Sequence, residues 1–186
     1  MEKISISIIF PTYNERDNIK NLIDLSIDAF NVANIEYEII VVDDSSPDET
    51  SKVVLDLKNN KKYSRVKLVV RKEKGLATAI LRGFNEAKMT HVMALDTDLS
   101  HHPKYFPLLF KYYRHYDMVV ASRFVSSHNG MKAAKHRVLG SKLINFFIRL
   151  ILGTNLTDLT GGFLIMDKSK LNQLPKKQIF FGYGDY

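Results

Sequence analysis

The chain has 186 residues, of which 27 are Lys or Arg and 20 are Asp or Glu, so its formal net charge is +7. This length favours a single domain, and a hydrophobic share of 45% argues against a disordered chain. Because the sequence has no cysteine, disulfides, thiolate metal sites and a cysteine nucleophile are excluded. It passes from Met1 and Glu2 directly into a strand pattern, so we expect no secretory signal and an intracellular protein.

The charge is unevenly distributed along the chain. Residues 1–100 carry 14 basic and 16 acidic side chains, whereas residues 101–186 carry 13 and 4. No acidic residue lies between Asp117 and Asp158, but six basic residues do, namely Arg123, Lys132, Lys135, Arg137, Lys142 and Arg149. Such a segment suits phosphates, nucleic acid or an anionic membrane surface, but most runs of this kind are a solvated basic face.

Short apolar runs alternate with stretches of helical spacing. The runs predict strands at Ile4–Phe10, Tyr37–Val42, Val66–Val70, His91–Leu95 and Met118–Ala121. The stretches between them predict helices at Asn18–Phe30, Glu49–Lys58, Leu76–Lys88 and Pro103–His115. This alternation predicts an α/β fold with a mostly parallel sheet and helices on both faces. A further helix is expected at Val138–Leu152, too short to span a membrane and either buried or interfacial.

Polar side chains gather where the predicted strands end. In open α/β sheets, ligands bind outside the carboxyl ends of the strands. Five carboxylates could converge at this edge: Glu15, Asp43, Asp44, Asp96 and Asp98. Asp96 and Asp98 flank one residue directly after a strand, a spacing that can hold Mg²⁺ together with substrate phosphates. Asp43 and Asp44 are also compatible with helix capping and an Asx-turn.

The glycine-rich nucleotide cradles are absent from the sequence. The segment after the first predicted strand reads PTYNERDN, without the G-x-G-x-x-G of dinucleotide-binding proteins, and no G-x-x-x-x-G-K-[ST] loop occurs. A bound nucleotide would therefore be held by side chains and a cation.

A set of ordered motifs carries a family resemblance over nearly the whole chain. They are Pro11–Glu15, Val41–Asp48, Lys74–Leu76, Asp96–Pro103, Ser122–Phe124 and Asp158–Phe163. With them the chain resembles family 2 glycosyltransferases, especially the polyprenyl-phosphate sugar transferases of the dolichyl-phosphate mannosyltransferase group. It departs from these relatives at Leu164, where they usually have arginine.

The resemblance implies one GT-A (Rossmann-like) catalytic domain over residues 1–186, lacking its C-terminal part. It also implies an inverting enzyme that transfers mannose or glucose from GDP-mannose or UDP-glucose to a polyprenyl or dolichyl phosphate. Mg²⁺ or Mn²⁺ would assist, and the protein would be cytoplasmic and peripheral at the cytoplasmic face of a membrane. We expect no nucleic-acid partner.

The same resemblance assigns residues to roles. Nucleotide-sugar contacts are expected at Pro11, Tyr13, Glu15, Val41, Asp43, Asp44, Asp96, Thr97 and Asp98. Metal ligation is expected at Asp96, Asp98 and Ser100, and acceptor-phosphate binding at Arg123, Arg137 and Ser141. Asp98, Arg123 and Arg137 would be the catalytic residues.

Two other functions stay open from the sequence. One is transfer to a glycan or soluble acceptor, which would require a base such as Asp185 to deprotonate a hydroxyl. The other is a nucleic-acid-binding module in the basic half, which would leave the carboxylates unexplained. His101 and His102 stand next to the expected metal site, but we interpret them with Pro103 as a loop entering the next helix.

Overall fold

A computed structural model describes residues 4–99, 101–113, 115–122, 157 and 162–173. The strands are β1 (Ser5–Thr12), β2 (Glu36–Asp43), β3 (Val66–Val70), β4 (His91–Ala94), β5 (Met118–Val120) and β6 (Leu164–Asp167). The helices are α1 (Arg16–Ala33), α2 (Thr50–Leu57), α3 (Leu76–Glu86), α4 (Phe106–Tyr113) and α5 (Lys168–Gln173). Short 3-10 turns occupy Lys61–Tyr63 and Pro103–Tyr105.

The strands form one six-stranded sheet in the order β3-β2-β1-β4-β6-β5. β1 pairs in parallel with β2 and β4, and β2 pairs in parallel with β3. β6 lies between β4 and β5 and runs antiparallel to both. The predicted α/β fold with a mostly parallel sheet is therefore confirmed.

The sequence patterns locate most of the described elements to within a few residues, but β6, α5 and the Lys61–Tyr63 turn were not predicted. β6 was missed because its short apolar run, Leu164–Met166, falls outside the alternation of strand and helix patterns that indicated the other strands. The predicted Pro103–His115 helix starts as a 3-10 turn and becomes α-helical only at Phe106. The predicted Val138–Leu152 helix lies outside the described residues.

One side of the sheet is covered by α1, α2 and α4. All eight residues of β1 are buried, as expected for a central parallel strand covered on both faces. Phe30 of α1 lies at the centre of this layer, with its ring centroid 4.7 Å from that of Tyr37 and 5.2 Å from that of Phe106. The aromatic contacts therefore join α1 both to the sheet and to α4.

The other side of the sheet is covered by α3. Ile9, Ile40 and Val42 pack there with Ala79 and neighbouring apolar residues. A Cβ atom at Gly83 would lie 2.4 Å from Cγ2 of Ile9, so the glycine allows α3 to lie directly on β1. The expectation of helices on both faces is confirmed.

A polar cluster around Asp24 fastens α1 to the 3-10 turn that precedes β3. Its carboxylate accepts hydrogen bonds from Lys20 at 2.7 Å and from the Tyr63 hydroxyl at 2.9 Å, and it also pairs with Lys62. Burial raises the pKa of Asp24, but the hydrogen bonds from Lys20, Lys62 and Tyr63 outweigh it and lower the pKa to about 2. The charged form of Asp24 is therefore stabilised in the folded chain.

We predict that the Asp24→Asn variant loses stability in a pH-dependent way. The folded pKa of about 2 lies below the ordinary 3.8, so the charged group stabilises the fold above about pH 4. The stabilisation is lost as pH falls through the folded pKa. In urea denaturation, the variant should be about 1 kcal/mol less stable at neutral pH. That difference should narrow as pH drops from about 4 towards 2.

The matched control is Asp56→Asn, which removes an exposed carboxylate on α2. This control should change the free energy of unfolding by less than about 0.5 kcal/mol at every pH. If the stability difference between the wild type and the Asp24→Asn variant stays constant below about pH 4, the assignment is contradicted.

Candidate active site

The loops that follow β1, β2 and β3 leave the sheet at the same edge. Thr12 at the end of β1 is in register with Asp43 of β2, and Asp43 is in register with Val70 of β3. β4 runs in the same direction beside β1, with Ala94 opposite Ile9. The predicted site residues after these four strands are therefore brought to one edge.

Asp43 lies at this edge, but its carboxylate points into the protein. The residue is fully buried and accepts hydrogen bonds from the hydroxyls of Thr12 at 3.0 Å, Ser46 at 2.5 Å and Ser51 at 2.6 Å. The Ser46 backbone N–H, three residues further along the chain, also donates to it at 3.0 Å. The capping interpretation is wrong, because Glu49 is the N-cap residue of α2.

Asp44 forms a buried ion pair with Arg71. Nη2 of Arg71 lies 2.7 Å from Oδ2 of Asp44, Nε pairs with Oδ1, and the Gly75 N–H donates to Oδ2 at 2.9 Å. Arg71 also donates to the Gly75 carbonyl at 2.6 Å and to the Thr78 hydroxyl at 2.8 Å. The pair therefore fixes the loop between β3 and α3 against the end of β2.

The loop after β1 is held from two directions. Nζ of Lys74 donates to the Tyr13 hydroxyl at 2.6 Å and lies 4.3 Å from the centre of the Tyr13 ring. The Glu15 backbone N–H donates to the Thr50 hydroxyl at 3.0 Å, and its carboxylate accepts from Asn18 at 2.9 Å. Tyr13 and Glu15 are thus placed at the edge by contacts with the loops after β2 and β3.

Asp48 also holds the loop after β1 in place. It accepts hydrogen bonds from the Thr50 N–H and hydroxyl at 3.0 and 2.6 Å, and from the Arg16 N–H at 3.0 Å. Burial raises the pKa of Asp48, but the bonds from Thr50 and Arg16 lower it overall. The start of α1 is thereby tied to the start of α2.

The backbone of these loops adopts an uncommon conformation. Residues with φ between 52° and 66° occur after three of the four strands, at Asn14, Ser45, Glu49 and Leu99, and Gly75 has a φ of 136°. A branched side chain such as Leu99 is rarely found in this region, which costs about 1 kcal/mol or more. Such conformations are typical of functional loops held in place by their surroundings.

Asp96 and Asp98 lie on either side of a buried threonine. Thr97 is 5% exposed, and its hydroxyl donates to the Pro11 carbonyl at 3.3 Å. This contact fixes the loop, so that Asp98 is exposed and Asp96 is half-buried. The D-x-D spacing therefore presents two carboxylates at the edge, as the sequence predicted.

Gly162 provides the space that Asp96 occupies. A Cβ atom at Gly162 would lie 2.3 Å from Oδ1 and 2.8 Å from Oδ2 of Asp96. The carboxylate thus rests against the backbone just before β6, which places β6 and the D-x-D loop side by side. The sequence motif Asp158–Phe163 includes this glycine, but the sequence alone assigned it no contact.

The donor set at Asp96 and Asp98 fits a hard divalent cation in part. Two carboxylates with open space for water and phosphate oxygens are typical of Mg²⁺ sites. In the described part of the chain, however, no group of three or more His, Asp or Glu residues is close enough to hold a metal. The expected convergence of five carboxylates is therefore not found, because Asp43 and Asp44 bond inward. The third expected ligand, Ser100, lies outside the described residues.

Two further expected nucleotide contacts lie within the sheet. Val41 is fully buried and packs in the core beside α1, so its side chain is not available to a ligand. Pro11 is also buried, in register with Val42. Any contact of Val41 with a nucleotide would therefore have to use its backbone.

The interpretation of the two histidines is confirmed. His102 caps the 3-10 turn by accepting from the Lys104 N–H at 3.1 Å, and Pro103 occupies the first turn. His101 is 7% exposed, and its ring lies 5.3 Å from the Phe163 ring. Both residues thus connect the D-x-D loop to α4.

The expected acceptor residues Arg123, Arg137 and Ser141 lie outside the described residues, but the two ends of their segment are described. The Ala121 N–H donates to the Phe163 carbonyl at 2.9 Å, and the Ser122 and Thr157 hydroxyls lie 2.7 Å apart. The segment from residue 122 to 162 therefore begins after β5 and ends before β6, at the edge that holds Asp96.

The ion pair between Asp44 and Arg71 was not predicted, although the sequence contained a signal for it. Asp44 directly follows β2 and Arg71 directly follows β3, and neighbouring parallel strands end side by side. No helix in the described part of the chain has the length and hydropathy needed to cross a membrane.

Residues 7–174 match the family "Glycosyl transferase family 2". The chain is 35% identical to the dolichol-phosphate mannosyltransferase of Pyrococcus furiosus over 182 residues, which is 96% of this chain and 50% of that protein. It is 30% identical to the undecaprenyl-phosphate 4-deoxy-4-formamido-L-arabinose transferase of Proteus mirabilis over 84% of this chain and 47% of that protein. The chain thus spans about half the length of the curated relatives it matches.

The fold is also found among solved structures. Glucosyl-3-phosphoglycerate synthase from Mycobacterium tuberculosis, solved with Mn²⁺, UDP-glucose and phosphoglyceric acid, superposes with a TM-score of 0.67 at 22% identity. The match covers 97% of this chain and 61% of that one. Together with the sheet and its D-x-D edge, these matches show that the chain belongs to glycosyl transferase family 2 and has a GT-A fold.

Proposed function

We propose that this chain is the catalytic domain of an inverting, metal-assisted glycosyltransferase that moves mannose or glucose from a nucleotide sugar to a polyprenyl phosphate. The observation that carries the proposal is the fixed presentation of Asp96 and Asp98 at the carboxyl edge of a family 2 chain. Two curated relatives are named for dolichol-phosphate and undecaprenyl-phosphate substrates, and these names support this acceptor class.

The donor would lie along the edge between the loops after β1 and β4. Tyr13 and Glu15 would contact the nucleoside, and Asp43 and Asp44 would act by holding the surrounding loops in place. Lys74 would bring a positive charge next to Tyr13. This arrangement orients the donor without a glycine-rich phosphate loop.

Asp96 and Asp98, with Ser100, would hold the Mg²⁺ or Mn²⁺ ion. Bound there, such an ion offsets the charge of the departing nucleoside diphosphate. The residues of this chain supply the geometry: Thr97 fixes the loop, and Gly162 leaves room for the Asp96 carboxylate.

The acceptor chemistry requires no strong base. An oxygen of the acceptor phosphate forms a bond to the anomeric carbon, the bond from that carbon to the diphosphate breaks, and the nucleoside diphosphate leaves. A phosphate monoester has a second pKa of about 6, so it is already mostly ionised near neutral pH. Arg123 and Arg137 would orient it through bidentate hydrogen bonds, with Ser141 donating a further one.

The described ends of the segment that carries these three residues support this assignment. Ala121, which follows β5, is hydrogen-bonded to Phe163, which precedes β6, and Gly162 touches Asp96. The segment is therefore attached at both ends to the edge where the donor would lie. Peripheral attachment at a cytoplasmic membrane face would then bring a lipid-linked phosphate to that edge.

We predict metal-dependent nucleotide binding that depends on Asp98. In a thermal-shift screen of GDP, UDP and other nucleotides with and without Mn²⁺, one nucleotide plus Mn²⁺ should raise the Tm by roughly 5 °C at saturation. Asp98→Ala should remove most of this shift and lower sugar transfer by about 100-fold or more.

Asp56→Ala, at another exposed carboxylate, is the control and should behave like the wild type. If no nucleotide raises the Tm with Mn²⁺, or if the Asp98→Ala variant keeps full activity, the donor assignment is wrong.

Arg137→Ala should impair use of the acceptor much more than binding of the donor. Removal of a bidentate phosphate contact is expected to raise the KM for polyprenyl phosphate by at least about tenfold. The nucleotide-dependent Tm shift should stay within about 1 °C of the wild-type value. Steady-state kinetics at varied acceptor concentration measure the first effect. An unchanged KM would show that Arg137 is not part of the acceptor site. Transfer to soluble acceptors alone would favour the alternative acceptor class.

Gly162→Ala should disturb the metal site through Asp96. The new Cβ would lie 2.3 Å from Oδ1, so the carboxylate must move. We expect the Mn²⁺-dependent part of the Tm shift to fall by more than half, with the metal-independent part retained. In an Asp98→Ala background the same change should add little, because both act on one site. Full additivity of the two substitutions would contradict the shared site.

A further inference from the structure

Helix α4 is apolar around most of its circumference. Its sequence is FPLLFKYY, with a single charged residue. One face, formed by Phe106, Leu109, Phe110 and Tyr113, is buried in the core beside α1. A helix that is apolar on all sides is typically covered on all sides.

The opposite face of α4 is exposed. Tyr105 in the preceding 3-10 turn is 45% exposed, and Leu108 and Tyr112 are each 52% exposed. Lys104 and Lys111 lie beside them on the exposed side. These five residues recur at intervals of three and four, so they share one face, which we call the α4 outer face. A contiguous exposed patch of this kind marks an interaction surface.

The charge of the α4 outer face selects the kind of partner. The sequence between Asp98 and Asp117 contains three Lys or Arg residues and no acidic residue. Tyrosine and leucine beside lysine are typical of segments that lie in the interfacial layer of a membrane. In such segments, lysines are attracted to anionic lipid headgroups and the apolar side chains are buried among the acyl chains.

A second copy of this chain fits the surface less well. A symmetric dimer would place the α4 outer face against itself. Lys104 and Lys111 would then face the same lysines, with no acidic residue in the segment to neutralise them. Like charges facing one another across an interface disfavour association.

The start of α4 lies next to the candidate active site. The Phe106 ring is 5.7 Å from the Phe163 ring, and Phe163 follows Gly162, which contacts Asp96. The Lys104 end of the outer face is therefore near the edge that carries the D-x-D loop.

We infer that the α4 outer face docks this protein on the surface of an anionic lipid bilayer. The inference deepens the proposed function, since a lipid-linked acceptor requires the catalytic edge to approach a membrane. Docking through this surface would use the tyrosines and Leu108 for insertion and the two lysines for headgroup contact. It requires neither donor nor acceptor, so it can be tested separately from transfer.

The test is co-flotation of the whole chain with vesicles, without nucleotide or metal. Wild-type protein should float with phosphatidylcholine–phosphatidylglycerol vesicles and much less with pure phosphatidylcholine. The double variant Lys104→Glu/Lys111→Glu should bind the anionic vesicles at least about tenfold more weakly. Leu108→Gln/Tyr112→Gln should weaken binding to a similar degree by removing apolar contact.

Matched controls change the same chemistry elsewhere on the surface. Lys58→Glu/Lys61→Glu alters the net charge equally, and Leu55→Gln removes a side chain that is 51% exposed on α2. Both should bind vesicles like the wild type. All substituted side chains are exposed, and matching Tm values would show that each variant is folded.

Several outcomes would overturn the inference. The wild type would not float with anionic vesicles, or the α4 variants would float as well as the wild type. A third such outcome is that the control variants lose as much vesicle binding as the α4 variants. If sedimentation shows that the wild type is a dimer and that the Leu108→Gln/Tyr112→Gln variant is a monomer, the surface is assigned to a second copy instead. If the wild type does not float but its Tm still rises with nucleotide and Mn²⁺, the docking surface is rejected and the proposed donor chemistry stands.

Discussion

Two adjacent buried carboxylates at the end of β2 impose the constraint on which the site depends. Asp43 and Asp44 are both fully buried, and leaving such a charge without partners would cost about 3–5 kcal/mol. Asp43 is satisfied by hydroxyl and N–H donors from β1, the next loop and α2, whereas Asp44 is satisfied by Arg71 and the Gly75 N–H. The two carboxylates therefore hold together the end of β1, the start of α2 and the loops after β2 and β3.

The acidic residues at the edge thus have two different tasks. Asp43 and Asp44 are bonded to partners inside the protein and hold the loops after β2 and β3 in place. Asp96 and Asp98 flank a buried threonine: Asp98 is exposed, and Asp96 is half-buried against Gly162. This division avoids the repulsion that five clustered carboxylates would exert on one another and on a diphosphate.

The sequence could predict the strands and the edge because both depend on local patterns. Buried parallel strands such as β1 appear as unbroken apolar runs, and Asp96-Thr97-Asp98 follows one of them directly. The orientation of each carboxylate could not be predicted in the same way. It depends on partners distant in sequence, such as Arg71 for Asp44 and Gly162 for Asp96. β6 escaped prediction because its four residues become a strand only by pairing between β4 and β5.

The antiparallel direction of β6 has a consequence for how such a chain can diversify. Because β5 ends and β6 begins at the same edge, with the Ala121 N–H bonded to the Phe163 carbonyl, the chain leaves and re-enters the sheet at one place. Doubling the length of a closed loop costs only about 0.6 kcal/mol of chain entropy. Insertions between residues 122 and 162 should therefore cost the sheet little stability, because β5 and β6 pair with each other on either side of them.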